Sequence, residues 1–334
     1  MVNLELKVPD SFLDEEIRNG FTVTRERKEI WAVELDLLNK LDQVCKKHNI
    51  KYCADGGTLL GAVRHNGFIP WDDDIDIAML RSEYEKLCSI ATEEFKFPYF
   101  WQTEETDPTS ARGHAQLRNS NTTGILLSER GSGRMFNQGI FIDIFPFDDI
   151  QEDSSEYYSQ FENVSKLRNR TYDVLNRVNF YKGTKEIFHG KRFSFLHQLK
   201  HRILHSYYLI KHSDYRTIFD KFIAECKKYD NGNDHTMVAD LCIPISPSRI
   251  KRYKEDFYDL FEMPFEFVTI PVFRKYDRNL KLLYGNNYMI PIHSDNVHAG
   301  VFFNVNKSYK EYLQDSGKYY EKNNSNNNRR RIWP

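Results

Sequence analysis

Four aspartates, Asp72, Asp73, Asp74 and Asp76, stand at the edge of an apolar run, and no other feature of this 334-residue chain restricts its fold as strongly. Carboxylates this close repel one another, so they need either a solvated loop or a bound cation. The cluster leads directly into Ile75, Ile77, Ala78 and Met79, the pattern of a buried strand rather than of a loop. A cation is the better explanation. A glycine pair, Gly56 and Gly57, opens the same stretch. A carboxylate-held cation beside a glycine turn points to phosphate chemistry.

The surrounding pattern is a mixed α/β unit. Trp31, Leu35, Leu38, Leu41 and Cys45 recur at three- and four-residue steps and predict a helix over 24–48, stopped by Asn49. Ile50 to Ala54 reads as a short strand entering the glycine turn, and Thr58 to Val63 as a helical turn after it. Asn66, Gly67 and Pro70 mark a loop. Asp74 to Met79 is the next strand. Ser82 opens a helix through Glu94, with Glu85 at the capping-box position. Phe97–Gln102, His114–Arg118 and Gly139–Phe147 are further strand candidates.

Side chains two apart on a strand share a face, so Asp74 and Asp76 project together, Asp72 lies at the margin, and Asp73 turns away. Asp143 is alone among Ile140, Phe141, Ile142, Ile144 and Phe145. A lone carboxylate in an apolar run is costly unless it is paired. If its strand lies beside Asp74 and Asp76, three carboxylates meet at one site. Magnesium or manganese suits such an oxygen-only ligand set.

After Asp149 the texture changes. Residues 151–230 are helical in pattern, Phe257–Phe267 is aromatic, and Asp277–Tyr284 forms a helix ended by Gly285. The division expected is a catalytic core over 24–150, a mainly helical part over 151–315 packed on it, and a disordered, low-complexity tail over 316–334. The net charge of -1 gives no field for nucleic acid. The first residues show no signal-peptide pattern, no apolar run approaches the ~20 residues of a membrane span, and the five scattered cysteines contain no CxxC pair. Free thiols and a cytoplasmic location are the expectation.

A glycine pair after a strand, Asp74-Ile75-Asp76 on the next, and Ile142-Asp143-Ile144 on a later one resemble the nucleotidyltransferase fold. The longer string GGTLLGAVRHNGFIPWDDDID (56–76) resembles the LicD family, which includes phosphocholine transferases and relatives of fukutin. CKKHNIKY (45–52), QLR (116–118), FIDIFPFD (141–148), the pair Ile270–Pro271 and LLYG (282–285) extend the likeness over roughly residues 28–290. The resemblance implies transfer of a phospho-alcohol from a CDP-alcohol, with CDP-choline the leading donor, to a sugar hydroxyl of a surface glycan such as teichoic acid, lipopolysaccharide or capsule precursor. It implies metal on Asp74 and Asp76, and Asp143 as a metal ligand or as base. Backbone N–H groups of Gly56, Gly57 and Thr58 would cradle phosphate, with Arg64 and Arg118 as a clamp.

Other readings stay open beside this one. CDP-glycerol or CDP-ribitol would use the same site, as would nucleotidyl transfer from a nucleoside triphosphate. A non-catalytic binding module is disfavoured by the three carboxylates, and a DxD glycosyltransferase by the glycine pair. His65 and His114 read as ordinary loop or core histidines. Cys226, His235 and Cys242 have no standard zinc spacing. The basic, aromatic stretch 185–212 suits either a packed helix with a solvated face or contact with an anionic membrane carrying a lipid-linked acceptor.

Overall fold

The computed structural model describes residues 1–126, 136–152, 154–179, 214–230, 235–292 and 300–314, with Glu129 and a few positions between 199 and 207. The stretch 185–212 and the tail 316–334 therefore lie almost wholly outside the described residues.

A short hairpin, β1 (Glu16–Arg18) and β2 (Phe21–Val23), precedes α1 (Arg25–His48). Thr24 caps α1 by accepting from the N–H of Arg27, and Asn49 ends it in the left-handed region at φ 50°, where asparagine is tolerated. Lys46, Lys47 and His48 in its last turn suit the negative end of the helix dipole. β3 (Cys53–Ala54) leads into α2 (Gly56–His65), again closed by an αL asparagine, Asn66. β4 (Asp76–Leu80) starts two residues later than expected, leaving Asp74 just ahead of the strand. α3 (Arg81–Glu94) starts at Arg81 with Leu80 as N-cap and no side-chain cap bond. The expected Ser82–Glu85 capping box is thus not formed. Glu85 instead pairs with Lys227 at 2.5 Å, a tertiary contact that local capping rules do not see.

Then come β5 (Tyr99–Gln102), β6 (Ala115–Asn119), β7 (Thr123–Leu126) and the long β8 (Ile140–Asp149). α4 (Ser154–Asn179) and α5 (Tyr215–Cys226) form the helical region, followed by β9 (Met237–Ala239) and β10 (Lys251–Tyr253). A hairpin of β11 (Leu260–Phe265) and β12 (Val268–Phe273) precedes α6 (Tyr276–Tyr284), and β13 (Val301–Asn304) pairs with β7.

The main sheet is organised by β8. It lies parallel to β4, which pairs with β3, and antiparallel to β6, which pairs with β5. Its far end pairs with β9 and through it β10, so the mixed sheet extends into the helical half. The principal core includes Trp31, Leu35, Leu38, Leu59, Ile75, Ile77, Ile142 and Ile144. A second core of Ile150, Tyr157, Val164, Phe219, Phe222 and Leu241 lies beneath α4 and α5.

Candidate active site

The loop between α2 and β4 is a buried strut. Phe68 stacks on Trp31 with ring centroids 4.6 Å apart and packs on Phe265 at 4.9 Å. Glu266 accepts the N–H of Phe68 at 3.1 Å and is held by both terminal nitrogens of Arg18. At the far end, the indole N–H of Trp31 and the guanidinium of Arg27 donate to the carbonyl of Asp72 at 2.9 and 2.8 Å. The loop therefore fixes where the aspartate cluster begins.

The cluster leans over the start of α2. A Cβ built on Gly57 would lie 2.7 Å from Asp72 Oδ2, and one on Gly56, whose φ is +54°, 3.1 Å from Asp76 Oδ2. Glycine is required at both positions because carboxylates occupy the space a side chain would take. The Thr58 hydroxyl accepts the N–H of Asp76 at 2.8 Å and pins the first residue of β4. Beside the turn, Asp55 receives a bidentate hydrogen-bond pair, both at 2.8 Å, from the buried Arg252.

Asp143 lies directly opposite Asp76 in the parallel β4–β8 register and opposite Gln116 in the β6–β8 register. Its Oδ1 accepts from Gln116 Nε2 at 2.7 Å and meets His114 Nε2 at 3.1 Å. Arg118, expected as a phosphate clamp, is fully buried. Its guanidinium donates to Gln102 Oε1, to the carbonyl of Gly139 and to Gln116 Oε1. Alternation along β6 puts residues 116 and 118 on one face, so Arg118 orients the amide that holds Asp143. Burial and the neighbouring Arg112 push its guanidinium down to about 9. Arg64 is half-buried and donates to the carbonyl of Tyr288 at 2.8 Å and to His65 Nε2 at 2.9 Å. Burial, Arg64 and Arg18 push His65 down to about 4, so the ring is neutral at pH 7 and can accept that bond.

Two carboxyls of the site are tuned in opposite directions. Burial acts to raise Asp143, but the bonds from His114 and Gln116 and the nearby Arg112 outweigh it, and the group lies below the usual carboxylate range. Asp74 is held well above that range by burial and by Asp76, Asp72, Glu34 and Asp143. A carboxyl crowded by four others fits a divalent cation, which would reverse the sign of the local field. Asp76 and Asp143 are register partners across β4 and β8, and Asp76 Oδ2 lies toward Gly56.

Asp148, Cys226 and Cys242, all buried, bring one ligand atom each within 4.8 Å of one another. These three could coordinate a metal, and two sulfurs favour a softer ion than magnesium. His235 is not part of the group; its ring lies against Tyr229. Sequence spacing does not bring out this group because Asp148 lies on β8, far along the chain from the two cysteines. Asp148 is also held by Arg81 at 2.6 and 2.9 Å.

Several residues of the site escaped sequence reasoning. His114 and Gln116 meet Asp143 only across a strand pairing. Glu34, on the buried face of α1, is an electrostatic neighbour of Asp72, Asp73 and Asp143.

The sequence model described as LicD/FKTN/FKRP, nucleotidyltransferase domain, matches residues 49–182. The lipopolysaccharide cholinephosphotransferase LicD of Haemophilus influenzae is 31% identical over 144 residues, 43% of this chain and 52% of that protein. An uncharacterised protein of Rickettsia prowazekii is 46% identical over 54 residues, 16% of this chain and 20% of that protein. Another, of Rickettsia typhi, is 49% identical over 47 residues, 14% and 15% of the two chains. The chain thus spans about half of the Haemophilus protein and less of the others. No helix among the described residues is long and apolar enough to cross a membrane.

Proposed function

We propose, from the match of residues 49–182 to the LicD/FKTN/FKRP nucleotidyltransferase domain, that the chain is a LicD-like, metal-dependent phosphotransferase that moves a phospho-alcohol from a CDP-alcohol to a sugar hydroxyl. The family supports an enzymatic, phosphotransferase-like role. The observation that carries the reading is the pairing of Asp76 with Asp143 across β4 and β8, with Asp74 crowded beside them. Likeness to the lipopolysaccharide cholinephosphotransferase of Haemophilus supports CDP-choline as the leading donor in this reading and a surface-glycan precursor as its acceptor.

Asp74, Asp76 and Asp143 would hold Mg²⁺ or Mn²⁺; when bound, such an ion neutralises charge on the donor pyrophosphate. The acceptor oxygen forms a bond to the phosphorus that carries the alcohol, the bond to the CMP oxygen breaks, CMP leaves with the electron pair, and the proton of the acceptor hydroxyl passes to solvent. Asp143 is better suited to holding the ion than to removing the acceptor's proton, because its hydrogen bonds keep it ionised and weakly basic. Gly56 and Gly57 admit the carboxylates, and Thr58 holds β4 in place. Of the two expected clamp arginines, Arg118 is spent on Gln102, Gln116 and Gly139, whereas Arg64, held through Nε and Nη1 by His65 and Tyr288, is the one assigned to phosphate through Nη2.

Phosphorus NMR with Mg²⁺, a glycan acceptor and, in turn, CDP-choline, CDP-glycerol, CDP-ribitol and ATP tests this. CMP release from one CDP-alcohol supports the reading. Pyrophosphate release from ATP alone replaces it with nucleotidyl transfer.

A further inference from the structure

Glu34 is a carboxylate that the hydrophobic core does not explain. It lies on α1, outside residues 49–182, and its neighbours in the helix, Trp31, Ala32, Leu35 and Leu38, are buried apolar side chains. Glu34 itself is 1% exposed, and its Oε2 has no hydrogen-bond partner among the described residues. An apolar residue would occupy such a position without an unsatisfied polar atom.

The helix meets the aspartate cluster beside it: Arg27 and Trp31, two turns and one turn before Glu34 on α1, both donate to the carbonyl of Asp72. The charges acting on it are Asp73, Asp72 and Asp143, with Arg27 opposing them. Arg27 makes no bond to Glu34 Oε2; its Nη1 donates to the carbonyl of Asp72. Glu34 in turn acts on Asp74. A buried carboxylate with an unpartnered oxygen, placed among carboxylates, is costly without a cation and well placed with one.

We propose that Glu34 is a further carboxylate of the cation site, delivered by α1 to the group formed by Asp74, Asp76 and Asp143. The inference rests on the reading that this cluster holds a divalent ion. It adds that the site extends beyond the strand motif, so that α1, the loop strut and the sheet must be assembled before the ion binds.

The test is calorimetric titration of the full chain with Mn²⁺, alongside the shift in melting temperature that Mn²⁺ produces, for wild type, Glu34→Gln and Asp76→Asn. Glu34→Gln should weaken Mn²⁺ binding by about tenfold or more and shrink the thermal shift, while its melting temperature without metal is no lower than that of wild type. Glu34→Gln affinity within twofold of wild type, with binding lost in Asp76→Asn, would make Glu34 a buried structural acid and leave the cation site standing. Absence of Mn²⁺ binding by wild type would overturn both. Should Glu34→Gln not fold, Glu34→Asp keeps the charge but shortens its reach. Weakened binding supports the assignment, and unchanged binding overturns it.

Discussion

Asp76 is fixed from three sides: its N–H by Thr58, its carboxylate by the space over Gly56, and its register by Asp143. Asp76→Asn removes charge without removing shape. It should lower CMP release by about a hundredfold or more, with the melting temperature nearly unchanged. Initial rates and thermal denaturation together check this; retained turnover would remove Asp76 from the site. Gly57→Ala would place a methyl 2.7 Å from Asp72 Oδ2. It should destabilise by about 1–2 kcal/mol through overpacking and weaken Mn²⁺ binding, as read by denaturant melts and calorimetry. At this scale the sequence was legible where chemistry is local. Asp74, Asp76 and Asp143 stand out because carboxylates are conspicuous in apolar runs. Glu34, His114 and Gln116 do not stand out, because each acquires its meaning only from a residue brought close by folding.

The elements show the same division. α1 and its Asn49 stop follow directly from helical periodicity and αL tolerance. The loop over 66–72 reads as a loop from Asn66, Gly67 and Pro70, yet it is a buried strut because Phe68 finds Trp31 and Phe265. α3 starts without the expected capping box because Glu85 pairs with Lys227 instead. The strand–turn–helix from β3 to α2 is stitched to the later part of the chain by the buried Arg252 on Asp55. Arg252→Met would leave that carboxylate unpaired and should cost about 3–5 kcal/mol. Urea denaturation measures it; a loss below about 1 kcal/mol would show that solvent already screens the pair.

Across the whole molecule, one sheet built on β8 joins both halves. One end of β8 carries Asp143, and the other carries Asp148, which meets Arg81, Cys226 and Cys242. Near that second end, burial and Asp148 push Asp230 up to about 7, and burial pushes Asp240 up to about 7. Unfolded aspartates titrate near ~3.9, so between these values the folded chain binds more protons than the unfolded one. The stability these groups contribute is full below about pH 4 and is lost as pH rises through about 7. Urea melts at pH 5 and pH 8 should show that loss, and Asp240→Asn should flatten it; an identical slope in the variant would contradict the assignment. The general α/β plan around the aspartates was legible from motif and period, whereas the continuation of the sheet into β9 and β10 was not, since such short strands carry no periodic signal. We propose that carboxylates at β4 and β8 hold an ion for transfer from a CDP-alcohol, and the initial rate of CMP release from CDP-choline, with a glycan acceptor present, in Mg²⁺ and again in excess EDTA decides it. Release in Mg²⁺ should fall at least about a hundredfold in EDTA and return with added Mg²⁺ or Mn²⁺; an undiminished rate in EDTA would remove the ion from the reaction.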